Sequence, residues 1–226
     1  TQMISQRCVR ILPFLVVAVL SMTTLIVWPG TFVDDFSDNK PDGWKRVGGT
    51  WKIKDGGYHG VEPGGVEGAV LIGDPKWGPD YSIEVKVWNA EGAWLAIHVR
   101  WMDIDNHYDW WIDLANKQGD LYIKKGAYAQ KTVDNIPLDI KKEFSIKLVV
   151  EGFTLSGYFN GKQINTWQDK EKSFKTGVIG LSVWQGEAIF DDIVIEGENV
   201  PGNLAVNARN KLTDTWGRIR RGLAMP

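Results

Sequence analysis

The sequence has a single cysteine, Cys8, among its 226 residues. One cysteine excludes an intramolecular disulfide and a cysteine-based zinc site, so the fold must be stable without covalent cross-links. Long helical periodicities are scarce, whereas 25 glycines and 12 tryptophans favour strands and tight turns. The 43% of hydrophobic residues can bury one substantial core, which predicts one domain with terminal extensions.

Several motifs that carry chemistry are also absent. The sequence has no glycine-rich phosphate loop, no nucleophile elbow and no His-x-x-x-His pair. It has 26 basic and 28 acidic residues, and the negative excess falls in the middle of the chain, because residues 198–226 hold five basic and two acidic residues. An acidic central region argues against nucleic acid as a partner, since that binding needs basic side chains at the phosphates.

A charge-free run of eighteen residues, 11–28, lies near the amino terminus. A membrane-spanning helix needs about 17–25 apolar residues, and Trp28 ends the run where an interfacial aromatic residue belongs. Arg7 and Arg10 precede the run, which predicts a cytoplasmic amino terminus and a main domain that is periplasmic or extracellular. No small-residue cleavage site follows, so we expect a retained signal anchor over residues 1–30; an inefficiently recognised signal peptide is the alternative.

The region 31–197 has the pattern of strands separated by turns. Residues 81–88 and 143–150 alternate apolar and polar side chains, as half-buried antiparallel strands do. Asn160 and Gly161 lie between two extended segments and form a strong hairpin signal. About a dozen short strands on this spacing predict an all-β fold, a two-sheet antiparallel jelly-roll sandwich.

Four segments of this region resemble a known superfamily. They are "FVDDFSDNKPDGW" at 32–44, "VRWMDIDNHYDWWIDL" at 99–114, "YFNGKQI" at 158–164 and "GVIGLSVWQGEAIFDDIVIEG" at 177–197. They are similar to the concanavalin A-like lectin and glucanase jelly rolls, nearest to the laminin-G-like and sugar-hydrolase-associated branches. The resemblance implies the fold. It leaves function open, because glycosidases, lectins, carbohydrate-binding modules and protein-contact domains share this architecture.

The glucanase branch of this superfamily carries a Glu-x-Asp-x-x-Glu motif on one strand, and this sequence has no such spacing. Asp109 and Asp113 share a strand face, but at about 3.3 Å per residue they lie roughly 13 Å apart. That separation exceeds the distances between carboxylates in retaining and inverting glycosidases. The sequence therefore predicts a protein that is not an enzyme.

Residue parity in the central segment separates a predicted core face from a mixed polar and aromatic face. Two interpretations of the mixed face stay open. Its indoles and polar groups could stack on and hydrogen-bond a sugar, or Arg100 could pair with Asp109 or Asp113 while other protein covers the indoles. The predicted core face has Leu95, Ile97, Val99, Trp101, Tyr108, Trp110 and Ile112, and the mixed face has Trp94, His98, Arg100, Asp109, Trp111 and Asp113, with Trp184, Glu84 and Trp88 as additions from other strands.

Two pairs of aspartates lie in the first and last strands of the domain, which commonly run side by side in this superfamily. Asp34 and Asp35 would then converge with Asp191 and Asp192. The resemblance implies a structural calcium near that seam, and Ca²⁺ prefers such oxygen ligands. The alternative is that these aspartates cap turns.

The carboxyl-terminal segment 198–226 has the spacing of an amphipathic helix. Its apolar residues recur every three or four positions and its basic residues lie largely off that stripe. Such a helix could bind anionic lipid headgroups, fit a groove on a partner protein, or fold back on its own acidic domain. The residues that predict a membrane or partner contact are Leu212, Trp216, Arg218, Ile219, Arg220 and Arg221.

Two functional interpretations follow from these features. The first is a non-catalytic, single-span accessory subunit whose jelly roll braces or caps a larger membrane protein complex, for example a photosynthetic or respiratory one. The bilayer and the other subunits would be its partners. The alternative is a membrane-anchored carbohydrate-binding protein with glycans as ligands. Neither interpretation requires a cofactor, and the one candidate is the structural calcium.

Overall fold

The computed structural model describes residues 30–65 and 67–202. These residues form thirteen β-strands and a single turn of 3-10 helix at Pro75–Trp77. The strands are β1 (Gly30–Asp34), β2 (Lys45–Arg46), β3 (Thr50–Lys54), β4 (Gly57–Glu62), β5 (Gly68–Ile72), β6 (Tyr81–Asp103), β7 (Asn106–Asp113), β8 (Gln118–Lys125), β9 (Ala127–Asn135), β10 (Phe144–Glu151), β11 (Thr154–Phe159), β12 (Lys162–Gln168) and β13 (Val178–Gly197).

The strands pair antiparallel in two layers. One layer has the order β2-β5-β13-β6-β7-β8-β9, and the other has the order β12-β11-β10-β6-β13-β4-β3, with β1 also paired to β13. The layers pack where β11 and β12 meet β8 and β9. This arrangement confirms the predicted all-β antiparallel sandwich.

Strands β6 and β13 run through both layers, so the hydrogen-bonded sheet is continuous. The sequence predicts short strands, but β6 has 23 residues and β13 has 20. The two strands pass from one layer to the other at a pair of facing glycines, Gly92 and Gly186. A Cβ atom on Gly92 would lie 2.1 Å from the carbonyl oxygen of Gln185, and its φ of 104° suits glycine. At these glycines the backbones of the two strands lie closer together than a side chain at either position would allow.

Alternating apolar side chains fill the space between the layers. Ile83, Val85 and Val87 of β6 have no exposed surface, and Ile146 and Leu148 of β10 pack opposite them. The predicted core residues Leu95, Ile97, Val99, Tyr108, Trp110 and Ile112 are buried in the same cluster. The period of two in the sequence therefore predicted the core correctly for these strands.

The predicted terminal elements lie outside the described residues. These are the apolar run at residues 11–28 with Trp28, and the tail with Leu212, Trp216, Arg218, Ile219, Arg220 and Arg221. Within residues 30–65 and 67–202, no helix has the length and apolar character needed to cross a bilayer. The one helical segment there is the three-residue turn at Pro75–Trp77, whereas a span needs about 20 residues. The described part of the chain therefore gives no support to the predicted single-pass membrane localisation.

Candidate functional site

A cleft of about 490 Å³ opens over the outer face of the layer that contains β13, β6, β7 and β8. Its walls are largely aromatic, and its polar groups collect at one side. The residues that define it are Trp94, Trp111, Tyr128 and Trp184 on the walls, with Glu67, Ala96, Lys124 and Ser182 between them. Small-molecule sites commonly have volumes of about 300–1,000 Å³ and this apolar character.

Strand register brings the aromatic side chains of the cleft together. Trp94 of β6 lies opposite Trp184 of β13, with ring centroids 5.0 Å apart. Trp111 of β7 lies 5.5 Å from Trp94 and 5.1 Å from Tyr128 by the same measure. Trp94 and Trp184 are half-buried, so each keeps part of an indole face open to the cleft.

Small residues create the space that these rings enclose. Ala96 lies between Ser182 on one neighbouring strand and Trp111 on the other. Because the side chains of Ala96 and Ser182 are short, the face is recessed at this row while the flanking indoles extend above it. The sequence stretch that reads as a mixed face therefore folds into a cleft.

A chain of polar groups forms the floor of the cleft. The Tyr128 hydroxyl donates to Oε2 of Glu67 at 2.9 Å. Oε1 of Glu67 lies 3.1 Å from Nε2 of His98, and Ser182 Oγ lies 2.7 Å from that same nitrogen. The other ring nitrogen of His98 is hydrogen-bonded to Asp109. The floor thus connects a cleft carboxylate to a buried histidine and aspartate.

The charge on His98 is set by its two carboxylate neighbours. Burial disfavours the imidazolium, but Asp109 and Glu67 outweigh burial and raise the pKa of His98 to about 10. Burial likewise opposes ionisation of Glu67, and the charge on His98 overcomes it and lowers the pKa of that carboxyl. In this charge state both ring nitrogens of His98 donate, whereas a general base for Ser182 needs an unprotonated ring nitrogen.

A second layer of side chains lies beneath this floor. His107 is fully buried, its Nδ1 lies 3.0 Å from the carbonyl oxygen of Asp103, and its Nε2 lies 3.4 Å from Oδ2 of Asp109. Trp101 stacks on the His107 ring at 4.1 Å and an angle of 9°. His98, His107 and Asp109 therefore form a closed cluster under the cleft.

Arg100 does not join the mixed face. Its φ is 50°, and a bulge interrupts the pairing of β6 with β7 after Val99. Because this conformation reverses the side-chain alternation, Arg100 and Trp101 exchange faces. The Arg100 guanidinium donates to the carbonyl oxygens of Phe174 at 2.8 Å, Pro79 at 2.6 Å and Gly152. The predicted pairing of Arg100 with Asp109 or Asp113 is therefore wrong. Trp101 is buried as predicted, but it packs on His107 and does not belong to the hydrophobic cluster between the layers.

The other residues predicted for the mixed face lie away from the floor of the cleft. Asp113 accepts from the backbone N–H and the side-chain amide of Asn116, both at 2.8 Å, and so caps the turn after β7. Glu84 pairs with Lys147 in the first half of β6, and Trp88 lies in the same half. Only Trp94, Trp111 and Trp184 of the predicted face line the cleft, while His98 and Asp109 lie beneath it.

Three of the four aspartates of the predicted calcium site make hydrogen bonds or an ion pair of their own, and Asp191 interacts electrostatically with Asp35 and Asp192. Asp34 accepts from the Trp44 indole N–H at 2.9 Å and from a backbone N–H. Asp35 accepts from the Ser37 hydroxyl at 2.7 Å. Asp192 pairs with Lys86 at 2.9 Å. Burial raises the pKa of Asp191 to about 6, and its Oδ1 has no hydrogen-bond partner among the described residues. The turn-capping alternative describes Asp34 and Asp35, and the calcium site stays a prediction.

Sequence reasoning missed four residues of the cleft and one residue beneath it, namely Glu67, Lys124, Tyr128 and Ser182, and His107 below them. The sequence does contain a signal for Ser182, because it lies two residues before Trp184 and so on the same face of the strand. The others depend on strand register. Glu67 reaches the site because Ala69 of β5 pairs with Ser182, and Tyr128 because β9 follows β8 in a hairpin.

The fold is similar to that of several solved structures. A carbohydrate-binding module, CBM66, from Bacillus subtilis matches with a TM-score of 0.61 and 24% identity, over 69% of this chain and 96% of that chain. A GH43 protein, a BlXynB mutant from Bacillus licheniformis, matches with a TM-score of 0.59 and 14% identity, over 73% of this chain and 39% of that chain. These likenesses confirm the predicted jelly-roll fold.

A curated relative is the levanase of Bacillus subtilis (strain 168), which is 25% identical over 159 residues. The match covers 68% of this chain and 23% of the levanase, so the chain spans less than a quarter of that relative. The names of these relatives refer to carbohydrate binding and hydrolysis. They contradict the accessory membrane subunit predicted from the sequence and favour the alternative interpretation.

The family model for the 3-keto-alpha-glucoside-1,2-lyase-like domain matches residues 31–196. That match covers most of the chain and includes every strand from β2 to β12. The chain therefore belongs to the 3-keto-alpha-glucoside-1,2-lyase-like domain family.

Proposed function

We propose that residues 31–197 form a carbohydrate-binding domain that holds a saccharide in the cleft over β6, β7 and β13. The observation that carries this proposal is the cleft itself, in which three indoles and a phenol surround a compact set of polar groups. Similarity to a carbohydrate-binding module supports it.

The two half-buried indoles, Trp94 and Trp184, supply the stacking surface. Their open faces suit the C–H groups on one side of a sugar ring, because an aromatic face is both apolar and rich in electrons. Glu67 supplies acceptors and Lys124 supplies donors for ring hydroxyls, and Ser182 can do either. Since the polar groups lie at one side of the cleft, a bound sugar has a defined orientation.

Replacing Trp184 with alanine tests the proposal. We expect the affinity for saccharide to fall about tenfold or more, because the lost stacking contributes on the order of 1.5 kcal/mol. Stability should change less than affinity, since this side chain is half-buried. Binding is measured by isothermal titration with levan, other fructans and α-glucosides, after a glycan array has selected the ligand.

Trp88→Ala is the matched control, because Trp88 is also half-buried on β6 but lies in the other half of that strand. It should bind as the unchanged protein does. The proposal fails if the unchanged protein retains no saccharide, or if both tryptophan variants lose affinity equally.

A second candidate function, elimination on a 3-keto-α-glucoside, is favoured by the position of Glu67. Its carboxylate side chain is 14% exposed in the cleft, between the Tyr128 hydroxyl and the imidazole of His98. A ketone at C3 acidifies the proton on C2, and a carboxylate can accept that proton. The C2–H electrons form the C1–C2 double bond, the C1–O bond breaks, and the leaving oxygen takes the Tyr128 proton. Glu67 then returns its proton to Tyr128.

Glu67→Gln distinguishes elimination from binding alone. With a 3-keto-α-glucoside as substrate, enone formation by the unchanged protein should be visible in the ultraviolet and should fall about 100-fold or more in the variant. Glu187→Gln is the control, since Glu187 pairs with His59 outside the cleft. If the unchanged protein forms no enone, this second candidate is rejected, whereas saccharide binding stays open to the test with Trp184.

A further inference from the structure

The cluster beneath the cleft contains two buried acceptor atoms that face each other. Nε2 of His107 and Oδ2 of Asp109 lie 3.4 Å apart, and neither has a hydrogen-bond partner among the described residues. The Nδ1 atom of His107 is directed at the carbonyl oxygen of Asp103 and so carries the ring proton of the neutral form. In that form the lone pair on Nε2 points at a carboxylate oxygen, which is unfavourable unless a proton or a metal ion lies between them.

The spacing of these atoms fits a metal ion. Tetrahedral coordination with bonds of about 2.0–2.2 Å separates neighbouring ligand atoms by about 3.4 Å, which is the distance between Nε2 of His107 and Oδ2 of Asp109. A ligand atom of His98 lies within 4.8 Å of both. Two imidazoles and a carboxylate are a ligand set that suits zinc and similar ions.

We propose that His98, His107 and Asp109 bind one divalent transition-metal ion of the zinc type. This inference is independent of the proposed carbohydrate binding. Nδ1 of His98, Nε2 of His107 and Oδ2 of Asp109 supply three ligands, which leaves a fourth position for water or another small ligand.

The groups around the cluster hold both imidazoles in the orientation that a metal requires. Metal-binding histidines almost always donate their second ring N–H to a carboxylate or a carbonyl group. Nε2 of His98 lies 2.7 Å from Ser182 Oγ and 3.1 Å from Oε1 of Glu67, and Nδ1 of His107 lies 3.0 Å from the Asp103 carbonyl oxygen. These partners leave Nε2 of His107 available to a metal, and a metal at Nδ1 of His98 replaces the proton that this nitrogen shares with Asp109.

Charge balance favours the same ion. Asp109 has no exposed surface, and the side chain of Glu67 is 14% exposed. Metal binding displaces the proton from His98, and the divalent cation then neutralises the two negative charges that the imidazolium otherwise compensates in part. Buried charges without such compensation are costly.

Metal retention by the full chain, made without a histidine tag, tests the proposal. The protein is stripped with a chelator, incubated with Zn²⁺, dialysed and analysed for metal content. We expect one zinc per chain. X-ray absorption spectroscopy at the zinc edge should show two imidazole ligands at about 2.0–2.1 Å. Protein loaded with Co²⁺ in place of Zn²⁺ should show the visible absorption bands of a four-coordinate ion.

Variants separate this site from surface binding. His107→Ala and Asp109→Asn should abolish retention, and Ser182→Ala should weaken zinc binding about tenfold through loss of a partner of His98. His59→Ala, at a buried histidine that pairs with Glu187 elsewhere, should retain one zinc. If the unchanged protein retains no zinc, or its bound zinc shows no imidazole ligands, the proposal is overturned. Because both measurements use the unchanged protein, they decide the matter even if a variant fails to fold.

Discussion

Replacing Arg100 with methionine is expected to lower the free energy of unfolding by about 3 kcal/mol or more. The guanidinium has no exposed surface and donates to the carbonyl oxygens of Phe174, Pro79 and Gly152. Methionine has a similar length but no donor, so three acceptors from separate segments lose their partner. The strained φ of 50° at this position would remain. Urea denaturation followed by tryptophan fluorescence measures the loss.

Arg46→Met provides the comparison, because Arg46 is exposed on the short strand β2 and should tolerate the change within about 0.5 kcal/mol. Equal stability of the two variants would show that the bonds of Arg100 contribute nothing net. Arg100→Lys is also informative, since lysine keeps the charge but lacks the planar fork that reaches several carbonyl groups at once. We expect it to recover only part of the stability.

Replacing Trp111 with alanine is expected to lower the free energy of unfolding by about 3–5 kcal/mol and also to abolish saccharide binding. The side chain is 8% exposed and contacts the rings of Trp94, Tyr122 and Tyr128. Truncation therefore opens a cavity behind the cleft and removes the support of the neighbouring indole. From the sequence alone, support of the sheet and sugar binding are alternative roles for this face, whereas the position of Trp111 suits both roles.

Thermal unfolding and saccharide titration on the same samples of Trp111→Ala and Trp184→Ala separate the two roles. Trp184→Ala should lose affinity with a smaller loss of stability, and Trp111→Ala should lose both. Trp111→Phe should recover most of the stability, because a phenyl ring fills much of the cavity. A Trp111→Ala protein as stable as the unchanged one would contradict the bracing role.

The layered fold could be predicted from the sequence because the period of two is strong in the strands that form the core. Residues 81–88 and 144–150 show that alternation, and their apolar members are buried as expected. The hairpin at Asn160 and Gly161 also joins β11 to β12 as predicted. These features depend on local sequence, which a single chain shows directly.

The cleft could be predicted only in part, because it depends on two non-local properties. The positive φ at Arg100 reverses the alternation, and no glycine marks that position in the sequence. Glu67 and Tyr128 reach the cleft through strand register, which places Glu67 close to His98 thirty-one residues along the chain. Register between distant strands follows from packing of the whole sandwich, so local patterns do not reveal it.

The crossing of β6 and β13 through both layers also affects how the chain folds. Their ladder joins residues such as Tyr81 with Gly197 and Leu95 with Val183, pairs separated by roughly ninety to one hundred and twenty positions. Most of the loop entropy must be lost before these contacts form, which places the domain among slow-folding proteins of high contact order. Every other strand of either layer joins this ladder directly or through one or two intervening strands. We therefore expect the layers to form in one cooperative step, with Gly92 and Gly186 at its centre.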